Sequence, residues 1–241
     1  MTGYCNVKKI AFAGTHGVGK TTIIKSLAEK MELQPINVIH EVASKVYEMG
    51  KTDPALAINQ GATLEAQLRI IGMQIEQENQ QIEEIHNSDN SVPKILLCDR
   101  TALDAVAYTY ARTFRGDKYV WARALPKYLF DWAVSALSCR YDVVFYIPIS
   151  FPLVGDGVRP ADPEFQEEID VLMQDLFIRN KLAGTDLPEM KKLIRHTEIL
   201  SGAEDRRTQV VESVLARIEA QDKCTATTLH ARMSMPPQNM R

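Results

Sequence analysis

Apolar residues along the first hundred and fifty positions come in two rhythms. Short, nearly continuous runs at 9–13, 37–40, 94–98 and 143–147 have the length of strands and too little alternation to leave one face in water. Longer stretches with apolar residues every three or four positions lie between them. One covers 20–31, and another lies within 55–86, where Leu64, Leu68, Ile71, Ile75 and Ile82 share a side, as one or two amphipathic helices would. Strand followed by helix, repeated, predicts βαβ units and therefore an α/β fold: a parallel sheet with helices on both faces, in three layers.

Further along, a helix is expected from Ala102. A helical stretch over 119–138 carries Trp121, Tyr128, Phe130 and Trp132, an aromatic cluster that reads as core. Pro148 stops the strand at 143–147, and the proline- and glycine-rich segment 151–163 is the candidate for a mobile loop. A helix should then run from Glu164 to about Leu182, a last strand over 192–200, and a helix from Glu204 to about Ala220. This makes one domain over 1–220, with a polar tail at 221–241 expected to fray.

The chain has 241 residues, 45% of them hydrophobic and 24% charged, enough for one core. Its formal charge of -3 gives no basic surplus for a nucleic-acid partner, and no apolar run approaches the roughly 20 residues of a membrane span. Cys5, Cys98, Cys139 and Cys224 lack metal-ligand or disulfide spacing and read as free thiols of a cytoplasmic protein.

Gly14-Thr15-His16-Gly17-Val18-Gly19-Lys20-Thr21 fits G-x-x-x-x-G-K-[ST] and stands between an expected strand and an expected helix, the context that gives the pattern meaning. Its glycines let the backbone curl with N–H groups inward, and the next helix turns its positive end to the same spot, so phosphates are held there. Lys20 can follow a transferring γ-phosphoryl group, the Thr21 hydroxyl can enter the oxygen shell of Mg2+, and Thr22 can cap or contact an α-phosphate. His16 lies within reach of such a ligand and reads as a surface histidine. The expected cofactors are ATP and Mg2+; ATP is favoured over GTP because no N-K-x-D base-reading motif follows.

Asp99-Arg100 ends a buried strand. Carboxyl ends of parallel strands converge on the ligand crevice, so Asp99 can hold hydrated Mg2+ and Arg100 can grip an anion through two hydrogen bonds; a structural salt bridge of the pair is the plainer alternative. With Ala107-Tyr108 behind them, these residues resemble the D-R-[YS] region of thymidylate and deoxynucleoside kinases, departing from it at Thr101. Together, residues 14–21, His40-Glu41-Val42-Ala43, residues 99–104, Asp156-Gly157-Val158-Arg159 and residues 201–206 are similar to the AAA-type ATPase/kinase-like domain of ribosylnicotinamide kinases, over 9 to about 218.

That resemblance implies a P-loop NTPase fold with a lid at about 150–185. It also implies that Asp99 and Arg100 serve phosphoryl transfer, that Glu41 is the base for an acceptor hydroxyl, that Arg159 is an arginine finger in the lid, and that Gly202 and Arg206 border the adenine. On the residues alone, Glu41 also reads as a helix-start carboxylate, Asp104 as acceptor ligand or helix surface charge, Arg159 as a loop charge beside Asp156 or Asp162, and residues 201–203 as a plain turn. Arg179 and Arg195 are weaker candidates for the arginine role.

The expected function is an ATP-dependent kinase transferring the γ-phosphoryl group to a nucleoside or nucleoside monophosphate, with Arg69, Arg100, Arg112 and Arg115 as candidate cations for a monophosphate. The alternatives are a nucleotide-hydrolysing switch and a kinase acting on a nucleotide within DNA, against which the charge argues. Acceptor identity and oligomeric state are not legible, and a homodimer stays open.

Overall fold

The computed structural model describes residues 7–30, 36–53, 63–88, 94–116, 124–152, 162–182 and 184–217. In chain order the elements are β1 (Val7–Ala13), α1 (Lys20–Lys30), β2 (Ile36–Ile39), α2 (Val42–Gly50), α3 (Leu64–Asn87), β3 (Lys94–Asp99), α4 (Ala102–Gly116), α5 (Leu125–Ala136) and β4 (Val143–Tyr146). There follow α6 (Pro163–Gln174), a π-helical turn (Asp175–Arg179), a small hairpin of β5 (Lys181–Leu182) and β6 (Thr185–Asp186), α7 (Met190–Leu193), β7 (Thr197–Ile199) and α8 (204–217).

β2-β3-β1-β4-β7 form one sheet, in that order, and every pairing is parallel. Alternate residues of its central strands feed two different cores. Ile10, Phe12, Ile95, Leu97, Val143 and Phe145 face α1 and α8 through Ile23, Ile24, Leu27, Val211, Val214 and Leu215. Ala11, Ala13, Leu96, Cys98, Val144 and Tyr146 face α3 to α6 through residues such as Ile71, Val106, Phe130 and Ile169. Helices on both faces are the reason the strands read as unbroken apolar runs.

A buried ion pair lies inside this packing. Lys9 is fully buried, ion-paired with Glu78 of α3, 4.1 Å above the Tyr141 ring and 3.1 Å from the Cys139 carbonyl, while the Tyr141 hydroxyl donates to Glu78 at 2.9 Å. Buried charges survive where such partners satisfy them.

Several expectations change. Within 55–86 there is one described helix, started by Thr63, whose hydroxyl accepts from the Ala66 N–H at 3.1 Å; residues 54–62 lie outside the described set. α6 begins at Pro163 behind an Asp162 cap and stops at Gln174, not Leu182, because the π-helical turn and the left-handed Asn180 (φ 54°) break the periodicity. Residues 163–182, part of the expected lid, bury Ile169, Met173, Leu176 and Phe177. Only Thr197–Ile199 of the expected last strand pairs with β4, since Lys192 and Leu193 belong to α7.

Of the aromatic cluster, Phe130 is core while Tyr128 and Trp132 are exposed, because residues two apart on a helix point to nearly opposite sides. Trp121 lies outside the described residues, as does the tail at 221–241. Cys98 is a buried thiol, but Cys139 is disulfide-bonded, so the four-thiol reading does not hold; sequence spacing does not reveal which cysteines meet in space. Among the described residues no helix is long and apolar enough to cross a membrane.

Candidate nucleotide and phosphoryl-transfer site

β1 leads straight into the glycine loop. Gly14 has φ +147°, and a Cβ there would lie 2.6 Å from the Ile147 carbonyl oxygen just beyond β4, so only glycine passes. The loop then curls around its own lysine: Lys20, 6% exposed, donates to the carbonyls of Gly14 at 2.9 Å and of Thr15. Burial, then the charge of Arg100, lowers its pKa to about 7. Thr21 and Thr22 are exposed at the start of α1, and the Thr21 hydroxyl donates to Asp99 Oδ2 at 2.7 Å.

Asp99 sits opposite Phe12 in the sheet register and is 2% exposed, and its Oδ1 is buried without a hydrogen-bond partner. A hydroxyl and a carboxylate with one bare oxygen suit a hard cation such as Mg2+. Among the described residues no group of three or more His, Cys, Asp or Glu could hold a metal ion by itself.

Arg100 follows in a left-handed conformation, φ 97°, which an arginine adopts only under constraint. Its N–H bonds the Phe12 carbonyl at 3.1 Å, and its Nε donates to Glu41 Oε1 at 2.6 Å. Its Nη1 donates to the Gly14 carbonyl at 3.3 Å and lies 3.5 Å from Asp104 Oδ1, while the guanidinium sits 5.6 Å from the Tyr108 ring centre. Burial works against its charge, but Glu41 and the other neighbouring acids outweigh burial and raise its pKa. Nε and Nη1 thus tie the end of β2 to the phosphate loop.

Asp104 is not a surface charge. It is 1% exposed and accepts from the Gly14 N–H at 3.3 Å and from the Thr101 N–H and hydroxyl at 2.9 and 2.7 Å. Burial raises its pKa despite Arg100 and Lys20. Thr101, the departure from the D-R-[YS] pattern, thus braces the loop through Asp104.

Glu41 precedes α2 without capping it by its side chain, which turns to Arg100 and keeps 21% exposure. If this pair couples β2 to the loop, Glu41→Gln and Arg100→Gln should each destabilise the protein. The double variant should lose about 1–3 kcal/mol less than their sum in urea unfolding. Losses that simply add would remove the pair from the architecture.

His16 is half-buried and not a surface residue. Its N–H donates to the Tyr108 hydroxyl at 3.1 Å, its Nδ1 lies 3.1 Å from the same oxygen, and its carbonyl accepts from Gln166 of α6 at 2.7 Å. Those partners are 92 and 150 positions away, beyond the range of local pattern.

Sequence reasoning missed Arg207. It is 3% exposed and donates from Nη1 to the Val18 carbonyl at 2.9 Å, whereas Arg206 is exposed and lies against Gly202 (φ +92°). Helical periodicity held the signal: 207, 211, 214 and 215 share the buried stripe of α8, and 206 falls off it.

Arg159 and Asp156 lie outside the described residues, as do the side chains of Arg112 and Arg115. Arg69 is exposed on α3 in a shallow groove with Leu68, Met73 and Trp132. Arg179 pairs with Asp175 and Arg195 with Asp142, both more than half exposed.

Solved structures share this fold. The thymidylate kinase from Candida albicans superimposes with a TM-score of 0.60 at 16% identity, covering 88% of this chain and 92% of that one. NadR protein in complex with NR gives 0.56 at 17% identity, covering 86% of this chain and 50% of that one. Deoxyadenosine kinase from M. mycoides, with products dCMP and a flexible dCDP bound, gives 0.52 at 14% identity over 87% and 99%. No curated protein sequence matches the chain. A family model described as AAA domain matches residues 9–189, three quarters of the 241 residues and all of the site from Gly14 to Asp104, and on that match the chain belongs to the AAA domain family.

Proposed function

We propose that the chain is an ATP- and Mg2+-dependent phosphotransferase acting on a free nucleoside or nucleoside monophosphate. The observation that carries this reading is the Glu41–Arg100–Gly14 connection, which joins a reachable carboxylate at the end of β2 directly to the phosphate loop. A carboxylate in that place can accept the proton of an attacking hydroxyl, as transfer to a nucleoside requires. That a thymidylate kinase and a deoxyadenosine kinase share the fold supports the acceptor class.

In this reading the N–H groups of the loop from Gly14 through Thr15, His16, Gly17, Val18 and Gly19, with Thr22 at its far end, surround the phosphates. Lys20 exchanges two carbonyls for the β- and γ-phosphates. Thr21 and Asp99 hold Mg2+, which supplies charge neutralisation when bound. Glu41, held in place by its ion pair with Arg100, accepts the proton of an attacking hydroxyl. Arg159 stabilises the charge that spreads over the transferring γ-phosphoryl group, and Gly202 with Arg206 flanks the base.

The test is ADP release from Mg-ATP in the presence of free nucleosides, nucleoside monophosphates, nicotinamide riboside or single-stranded DNA, with mass spectrometry of the acceptor. One small acceptor should raise ADP release at least about tenfold above the acceptor-free rate and gain one phosphoryl group. Equal ADP release without any acceptor would replace the kinase by a switch, and phosphorylated DNA alone would replace the acceptor class.

A further inference from the structure

Arg207 carries a charge that its described neighbours balance only in part. A guanidinium has five N–H donors and no acceptor. Here Nη1 meets the Val18 carbonyl, while Nε and Nη2 are fully buried and have no hydrogen-bond partner. The Phe151 ring stands 5.7 Å away and shields one face from water. Burial lowers the pKa of Arg207, and the charge of Glu204, on an exposed side chain three residues earlier, opposes that only in part. Its position is specific: a Cβ on Gly19 would lie 3.7 Å from Nη1 and 3.9 Å from the tip of Phe151, so the cation presses on the crest of the phosphate loop from outside.

A buried, under-satisfied cation is a standing penalty on the folded state, and a helix such as α8 has apolar ways to fill the same space. The penalty is lifted when a polyanion arrives on the other side of one thickness of backbone. Val18 and Gly19 are that backbone, and charges separated by it inside protein interact far more strongly than they would across water.

We infer that Arg207 is a positioning residue whose buried charge is balanced by the phosphates of a bound nucleotide, so that one side chain destabilises the empty protein and tightens its grip on nucleotide. Holding the Val18 carbonyl outward also keeps the following N–H groups turned toward the phosphates. The inference rests on the nucleotide-binding part of the proposed function and adds a residue and a linkage to it.

The experiment compares the wild-type chain with Arg207→Met, which keeps the buried stem without the charge, and Arg207→Lys, which keeps a charge without the fork. Binding of Mg-ADP and of AMP is measured by calorimetry, and thermal unfolding is followed without nucleotide. Arg207→Met should unfold at the same or a higher temperature than wild type, yet bind Mg-ADP about tenfold to a hundredfold more weakly, with a smaller loss for AMP; Arg207→Lys should fall between. An unliganded Arg207→Met that melts earlier or fails to fold, or one that binds Mg-ADP as tightly as wild type, overturns the inference. A wild-type chain that binds neither nucleotide would instead bring down the function on which it rests.

Discussion

Lys20→Met should leave a folded protein whose phosphoryl transfer is lowered about a hundredfold to a thousandfold, the scale of removing one positioned donor from a charge-developing transition state. Methionine retains the buried stem and loses only the ammonium that reaches the carbonyls of Gly14 and Thr15. Steady-state rates with the acceptor found for the wild type provide the check, and activity within tenfold of wild type would remove Lys20 from the chemistry. The same pair of proteins gives a second readout without nucleotide or Mg2+. In the folded chain Lys20 titrates at about 7, against 10.5 for an ordinary lysine, so between those values the unfolded chain binds more protons. The contribution of Lys20 to the stability of the wild type then rises as pH increases from 7 toward 10, by at most about 1.4 kcal/mol per pH unit. Lys20→Met lacks that increment, so wild type should gain on the variant when urea unfolding is compared at pH 7, 8 and 9. Parallel pH dependences would mean that the lysine is not held in so unfavourable a place.

The parts of this site that were legible in the sequence are those where local pattern and chemistry coincide. β1 and β3 are covered on both faces, so residues 10–13 and 95–98 read as unbroken apolar runs, and the loop between β1 and α1 follows a spacing that backbone wrapping around phosphate demands. Asp99 could be placed because strand ends converge. What stayed hidden depends on partners far away in the chain. Asp104 looked like a helix surface charge until Gly14 and Thr101 met it, and Glu41 had no visible partner until Arg100 arrived from β3. Arg207 stayed hidden for a similar reason: it lies on the buried stripe of α8, and the Val18 carbonyl it meets is 189 positions away. The left-handed Arg100 and the π-helical turn before Asn180 have no composition signal at all, since each is imposed by the packing around it.

Asp99→Asn should abolish Mg2+-supported transfer, lowering it about a hundredfold or more, while leaving metal-free nucleotide binding within a few-fold of wild type. The asymmetry follows from the two carboxylate oxygens. Oδ2 accepts the Thr21 hydroxyl, a role the amide oxygen of asparagine can take over, which turns the amide NH2 toward the place of Oδ1. Oδ1 is the buried oxygen without a partner, so the substitution puts two donors where a cation would approach. The measurement is a Mg2+ titration of transfer rate at saturating ATP, alongside calorimetric nucleotide binding in a chelator. A weaker Mg2+ response with intact metal-free binding makes Asp99 a metal holder. If metal-free binding collapses to the same extent, the Asp99–Thr21 bond is instead what keeps the first turn of α1 in register with the loop, and the metal has to be held elsewhere.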